Sequence, residues 1–201
     1  MIREQDRGGA RVLMLDRPDK ANALTQDMLA ALDAAVARAA ADGVAVLLLT
    51  GAGRVFSAGA DLDGMAQGLG HAPEWEVLSR RIGACPGLTI AALNGPLAGG
   101  AFGMALACDL RVAVPGAEFF YPVMKRGYLP QPSDPARLAA LVGPSRARLM
   151  LLAGQRITAQ TALNWGLIDH IAEDALEGAL LLAADALGAD PRHVRRMKAM
   201  F

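Results

Sequence analysis

The chain has 201 residues, of which 53% are hydrophobic, and its 20 basic and 20 acidic side chains give a formal net charge of zero. That hydrophobic content excludes an intrinsically disordered chain, and the length suits a single domain over residues 1–201. The balanced charge argues against nucleic acid and anionic membranes as partners, and no apolar run reaches the ~20 residues of a membrane span.

Strands and helices alternate in the first part of the chain. Apolar, β-branched-rich runs predict strands at residues 10–16, 44–50, 88–93 and 110–114. Thr25 is a predicted N-cap, and the Ala-rich amphipathic helix that it opens runs to about residue 41. A run of small apolar residues at 99–108 predicts a tightly packed, buried helix.

The last third of the chain is predicted to be almost wholly helical from Ser133 onward. Its predicted helices are residues 135–141, 145–153, 159–165, 172–187 and 191–200. The basic stretch within the last of them is interpreted as a solvated helix face. Strand–helix units followed by helices predict an α/β core in which residues 133–201 are mostly helical.

Two glycine-rich junctions could bring main-chain groups close to a ligand. The first is Ser57-Ala58-Gly59-Ala60-Asp61, and the second is residues 94–101, NGPLAGGA, where a strand passes into the buried helix. Helix N-termini leave N–H groups without partners, and two such groups aimed at one point stabilise a thioester or enolate oxygen. Each junction alone is also consistent with a simple tight turn. Neither has the spacing of a nucleotide-phosphate loop.

Five blocks in order along nearly the whole chain resemble the enoyl-CoA hydratase/isomerase (crotonase) superfamily. They are residues 15–25 (LDRPDKANALT), 47–62 (LLLTGAGRVFSAGADL), 90–114 (IAALNGPLAGGAFGMALACDLRVAV), 117–130 and 152–171. The resemblance implies a crotonase-type spiral core of repeated ββα units and a small-molecule acyl-CoA partner. It implies no tightly bound cofactor, coenzyme A being part of the substrate, and a homotrimer or dimer of trimers.

The resemblance also implies the site residues. The backbone N–H groups of Ala60 and Gly100 would form the oxyanion hole. The residues expected to line the bound thioester are Asp19, Lys20, Ala21, Ala58, Asp61, Leu62, Pro122 and Val123. Asp61 has an alternative interpretation as the N-cap of a following helix. No metal site is expected.

Two departures from the family pattern concern catalysis. Hydratases of this family carry one glutamate three residues after the second oxyanion glycine and another after a proline in the fourth block. The corresponding residues here are Gly103 and Val123, which can neither accept nor donate a proton. Relatives continue past the position of Phe201 into further helices, so either these helices are missing or the sequence is a shortened form.

Several polar residues could in principle replace those glutamates. Candidates near the fourth block are Glu118, Tyr121, Tyr128, Gln131 and Asp134. A surface or packing role is the competing interpretation for each of them. For Asp134, which precedes Pro135, that role is a helix N-cap. His71 lies in a loop, residues 64–73, that resembles the variable lid of this family, and a solvated histidine is its competing interpretation.

The resulting hypothesis is an acyl-CoA-binding member of this family with an oxyanion hole and with non-standard or weak catalysis. The alternatives are a non-catalytic acyl-CoA-binding pseudoenzyme and a structural subunit of a hetero-oligomer.

Cys85 and Cys108 follow no disulfide or metal-binding pattern, and the N-terminus, MIREQDRGG, is charged. A cytoplasmic location is therefore expected.

Overall fold

The computed structural model describes all 201 residues and contains nine strands and eleven α-helices. The strands are β1 (Ile2–Arg7), β2 (Ala10–Leu15), β3 (Val46–Gly51), β4 (Leu88–Leu93), β5 (Leu97–Ala98), β6 (Leu110–Ala113), β7 (Glu118–Phe120), β8 (Ile157–Thr158) and β9 (His170–Ile171). The helices are α1 (Gln26–Asp42), α2 (Leu62–Ala66), α3 (Glu74–Gly83), α4 (Phe102–Ala107), α5 (Val123–Arg126), α6 (Asp134–Val142), α7 (Pro144–Leu151), α8 (Ala159–Trp165), α9 (Ala175–Leu182), α10 (Ala184–Gly188) and α11 (Pro191–Lys198).

Six strands form the main sheet in the order β1-β2-β3-β4-β6-β9. β1 pairs antiparallel with β2, and every other pair is parallel. β3 is buried along its whole length, as expected of a parallel strand with layers on both faces. The four predicted strands coincide with β2, β3, β4 and β6, so the predicted α/β class is confirmed. β1 was not predicted, because its exposed polar side chains show no apolar alternation.

The core lies on both faces of this sheet, because alternate side chains of each strand point to opposite sides. A larger cluster of 42 buried residues includes Leu47 and Leu49 of β3 and side chains of α1, α3 and α4. A smaller cluster of 12 residues takes Val46 and Leu48 from the same strand and packs them under α9. The glycine-rich junctions lie on the side of the larger cluster.

The second sheet is small and was not predicted. β5 pairs parallel with β7, and β7 pairs antiparallel with β8. An isolated bridge joins Ser57 to Leu97 of β5, and the N–H of Ala98 donates to the Ser57 carbonyl at 2.9 Å. The first glycine-rich junction is thereby held beside the start of the second.

The helix predictions are mostly confirmed, with two corrections. Thr25 caps α1 by accepting a hydrogen bond from the N–H of Met28 at 3.2 Å, as predicted. The single helix predicted over residues 172–187 is wrong, because the chain forms α9 and α10 with a break at Ala183. The start also moves, since Asp174 accepts hydrogen bonds from the N–H groups of Leu176 and Glu177 and caps α9.

The second correction concerns Asp134. It does not cap α6, because Ser133 occupies the N-cap position without a side-chain bond and Asp134 lies one residue inside the helix. The Asp134 side chain turns inward and is buried. None of the helices is both long and apolar enough to cross a membrane.

Candidate functional site

The two glycine-rich junctions meet in space at Gly59. A Cβ added to Gly59 would lie 2.9 Å from the Ala98 carbonyl oxygen and 3.4 Å from the nitrogen of Gly100. Gly59 also has a φ of +93°, which disfavours any side chain. Glycine is therefore required here for two reasons, and it allows Ala60 and Gly100 to approach each other.

The opening block, residues 15–25, holds the first junction from its other side. The N–H of Ala58 donates to the Ala21 carbonyl at 2.9 Å, and the N–H of Leu24 donates to the Gly59 carbonyl at 2.8 Å. The buried side chain of Asn22 donates to the carbonyls of Ala52 and Val55. Three separate blocks of the chain are thus joined by hydrogen bonds around Gly59.

The N–H groups of Ala60 and Gly100 remain free in this arrangement. Neither donates to a carbonyl of the surrounding loops and turns. Gly100 lies in the 3₁₀ turn Gly99–Ala101 that begins the buried helix, where the first N–H groups have no intrahelical partner. Both residues line one cavity, and the N–H of neither is used by another backbone group.

That cavity has a volume of about 400 Å³, within the range of small-molecule sites. Its apolar wall includes Met65, Trp75, Val123, Tyr128 and Leu129. Trp75 packs over the second junction, since a Cβ on Gly100 would lie 3.2 Å from its ring. The Trp75 indole N–H donates to the Leu69 carbonyl at 2.9 Å, which fixes the ring.

Most of the predicted site residues are brought together by the fold. Those lining the cavity are Lys20, Ala58, Ala60, Asp61, Leu62, Gly100, Pro122 and Val123. Asp19 and Ala21 are not in the lining. Asp19 is exposed on the turn beside Lys20, and Ala21 acts through its carbonyl, which orients Ala58.

Asp61 is the N-cap of a helix, as its alternative interpretation predicted, and it also lines the cavity. Its Oδ1 accepts from the N–H groups of Asp63 and Gly64 and so caps α2. Its Oδ2 accepts from the Arg17 guanidinium at 2.5 Å, and this hydrogen bond, with those from Gly64 and Asp63, lowers the pKa of the Asp61 carboxyl. The side chain that faces the cavity at residue 61 is therefore already paired.

A buried polar pair lies behind the cavity wall. The Tyr121 hydroxyl donates to Asp134 Oδ2 at 2.9 Å, and the Tyr121 ring stacks on Phe102 with centroids 5.2 Å apart. Asp134 is 1% exposed, and its Oδ1 has no hydrogen-bond partner. Burial raises the pKa of the Asp134 carboxyl to about 7, against the lowering effects of the Tyr121 hydrogen bond and of Arg137.

The other polar candidates have varied surroundings. Glu118 is partly exposed and forms an ion pair with Arg156 at 2.8 Å, as its surface interpretation predicted. Tyr128 and Gln131 line the cavity. The His71 ring contacts Tyr128 at a centroid distance of 5.4 Å, so it packs on the cavity wall.

Sequence reasoning missed Trp75, Met65 and Leu129 in the lining. Helix α3, which carries Trp75, was not predicted. Its acidic residues in the first turn and basic residues in the last turn suit the helix dipole and could have indicated it. Nothing in the spacing placed its ring over Gly100. No group of three or more His, Cys, Asp or Glu side chains is arranged to hold a metal ion.

Comparison with known proteins identifies the family of the chain. Residues 6–201 match the family model described as enoyl-CoA hydratase/isomerase. A probable enoyl-CoA hydratase, echA6, from Mycobacterium leprae is 38% identical over 194 residues, which cover 94% of this chain and 78% of the relative. The chain belongs to the enoyl-CoA hydratase/isomerase family.

Two further comparisons bear on length and fold. Against the echA6 protein of Mycobacterium tuberculosis, the identity is 37% over 157 residues, and the match spans 65% of that relative's length. The crystal structure of an enoyl-CoA hydratase from Bacillus anthracis has a TM-score of 0.93 at 29% identity, covering 98% of this chain and 81% of that one. The expected crotonase-type fold is confirmed.

Proposed function

We propose that the protein binds acyl-CoA thioesters and polarises the thioester carbonyl with the N–H groups of Ala60 and Gly100. The observation that carries this proposal is that Ala60 and Gly100, whose N–H groups have no backbone acceptor, line the same cavity. Such preorganised donors stabilise an oxyanion because they need no rearrangement when the charge develops. The names of the relatives, which are enoyl-CoA hydratases, support the same substrate class.

The cavity lining also suits the two ends of such a ligand. Lys20 and Arg126 are exposed cations in the lining, and they could pair with the phosphates of coenzyme A. Trp75, Leu129 and their apolar neighbours offer a surface for the acyl chain. Coenzyme A is then part of the substrate, and no separate cofactor is needed for polarising the carbonyl.

The catalytic part of the proposal is non-standard or weak turnover through a thioester enolate. Gly103 and Val123 occupy the positions where the family pattern places glutamates, and neither residue has a side chain that can donate or accept a proton. Enolate-stabilising reactions such as decarboxylation require little more than the two donors. Because these two positions are apolar, acyl-CoA binding without turnover is the second candidate function, and a turnover screen separates the two.

Calorimetry with matched ligands tests the carbonyl contact. Butyryl-CoA and S-butyl-CoA share the nucleotide and the chain length, but only the thioester has a carbonyl oxygen. Two hydrogen bonds of ordinary strength predict that butyryl-CoA binds about fivefold or more tightly than the thioether. Equal affinities would contradict the role of Ala60 and Gly100. Absence of binding by both ligands at millimolar concentration would contradict acyl-CoA binding as a whole.

A further inference from the structure

The buried pair Asp134 and Tyr121 is not used by the thioester binding proposed above. Asp134 is 1% exposed, Tyr121 is 2% exposed, and the hydroxyl of Tyr121 is the group that bonds to the carboxyl. Asp134 Oδ1 is buried without a partner. An unpaired carboxylate oxygen in the interior is costly, because nothing replaces its hydration. An unpaired buried group of this kind calls for an explanation, and a catalytic role is one of the known ones.

The position of this carboxyl relates it to the site. Asp134 Oδ1 lies 3.0 Å from the point that a Cβ on Gly103 would occupy. Helix α6 therefore places a carboxyl beside Gly103 of α4. A proton-carrying group thus lies next to residue 103, where the family pattern has a glutamate, although the chain supplies it from another helix.

Tyr121 connects the carboxyl to the cavity. Tyr121 and Gln131 both line the cavity, and the N–H of Gln131 lies 3.5 Å from the Tyr121 hydroxyl oxygen. Tyr121 is thus hydrogen-bonded to Asp134 on the buried side while forming part of the cavity wall. This hydroxyl is the polar group that joins a residue of the cavity wall to the carboxyl of Asp134.

We propose that Asp134, acting through the Tyr121 hydroxyl, exchanges a proton with the α-carbon of a bound acyl thioester. This inference rests on the proposed function of acyl-CoA binding. Tyr121 is the residue that would contact the ligand, and Asp134 is a positioning residue that takes up and returns the proton.

In the forward step the Cα–H bond of the acyl group breaks and its proton moves to the Tyr121 oxygen. The original hydroxyl proton of Tyr121 moves at the same time to Asp134 Oδ2. The electron pair of the broken bond forms the enolate, whose oxygen accepts hydrogen bonds from Ala60 and Gly100. The reverse transfer returns a proton to the α-carbon, so no oxidant, reductant or second substrate is consumed.

The surroundings of Asp134 define the pH range of this exchange. The groups that act on it are the Tyr121 hydroxyl and Arg137, which favour the ionised form, and Glu76, which opposes it. Burial is the largest effect and brings the pKa of the carboxyl to about 7. Since only the ionised carboxyl can accept a proton, the exchange rate should rise with pH and level off above about 7.

The test measures by proton NMR how fast the α-protons of butyryl-CoA exchange with solvent in D₂O. The pH is varied over roughly 5.5–8.5, which covers one titration around neutrality. Wild type is compared with Asp134→Asn, Tyr121→Phe and the control Glu118→Gln. The control removes a partly exposed carboxyl on strand β7, and Phe at 121 retains the ring that stacks on Phe102. The affinity of each variant for butyryl-CoA is measured separately by calorimetry.

The expected result is exchange by wild type and by Glu118→Gln with the pH profile described. Asp134→Asn and Tyr121→Phe should exchange at least about tenfold more slowly with little change in affinity. Unchanged exchange in either variant, or binding without any exchange in wild type, would overturn the inference and leave acyl-CoA binding intact. No binding in any form would overturn the proposed function instead. If Asp134→Asn does not fold, the exchange rate of Tyr121→Phe and the pH profile of wild type still test the inference.

Discussion

Asp134 Oδ1 lies 3.0 Å from the place where a Cβ of residue 103 would be, so Asp134 and Gly103 share one buried space. Two residues from different helices therefore depend on each other: the carboxyl fits because residue 103 is glycine. The same contact limits how a glutamate could be introduced at residue 103. Such a change would press a new side chain against an existing carboxyl.

Gly103→Glu alone is therefore expected to destabilise the protein by about 1–3 kcal/mol, because extra atoms enter a filled space. Urea unfolding followed by circular dichroism measures this change. Adding Asp134→Ala to Gly103→Glu should recover much of the loss, since it empties the shared space. If the two substitutions change the free energy of unfolding additively, the two residues do not compete for the same space.

Crotonyl-CoA hydration by the wild-type protein should be far slower than the ~10 s⁻¹ typical of enzymes, because Gly103 and Val123 cannot transfer protons. Val123→Glu should increase the rate, since residue 123 lines the cavity. Val77→Glu, the same change at an exposed position of α3, is the control. A fast wild-type enzyme, measured by the loss of absorbance of the enoyl thioester, would refute this expectation.

Gly59→Ala should lower both stability and acyl-CoA affinity, because its Cβ would lie 2.9 Å from the Ala98 carbonyl oxygen. Gly68→Ala is a matched control, since Gly68 has the same φ of +93° but no atom within 4 Å of an added Cβ. Both variants pay the cost of a left-handed backbone, about 1–2 kcal/mol. Only Gly59→Ala should show a further loss in urea unfolding and in calorimetry; equal losses would mean that the junction contact is unimportant.

The free energy of unfolding of Asp134→Asn should increase relative to that of wild type as the pH rises from roughly 4 to 8. This range covers the interval between the unfolded and folded pKa values of Asp134. The folded pKa of Asp134, about 7, lies above its ordinary value of 3.8. Below the unfolded pKa the carboxyl is protonated in both states and does not lower the stability of the wild-type protein. As the pH rises from the unfolded to the folded pKa, only the unfolded state releases the proton, so wild type loses stability. The loss in wild type is on the order of a few kcal/mol, and asparagine avoids it. Parallel stability curves for the two proteins would contradict the raised pKa.

A homotrimer or a dimer of trimers remains the expected assembly. Several large apolar side chains are exposed, among them Leu129, Leu181 and Phe201, and burial of such residues favours association. Sedimentation velocity at micromolar concentration should give a species of three or six chains. A clean monomer would show that this chain does not assemble as the family resemblance predicts.

The sequence alone determined the class of fold and located the two glycine-rich junctions to which the proposed main-chain donors belong. Runs such as residues 88–93 carry their own signal, because a strand buried on both faces must be apolar throughout. The small residues at 57–61 and 94–101 are equally local, since close approach of a ligand requires small side chains. Strand β1 escaped prediction because an exposed edge strand imposes no apolar pattern.

Only the tertiary structure decided what surrounds those donors. Trp75 lies over Gly100, and Tyr121 donates to Asp134, for which the sequence had left a catalytic role and a helix cap open. Each of these contacts joins residues far apart in the chain, and no spacing rule encodes how two helices pack. Burial then changes the chemistry, because a carboxyl removed from water holds its proton to about pH 7. The same Asp134 on a solvated helix end would be ionised throughout the neutral range.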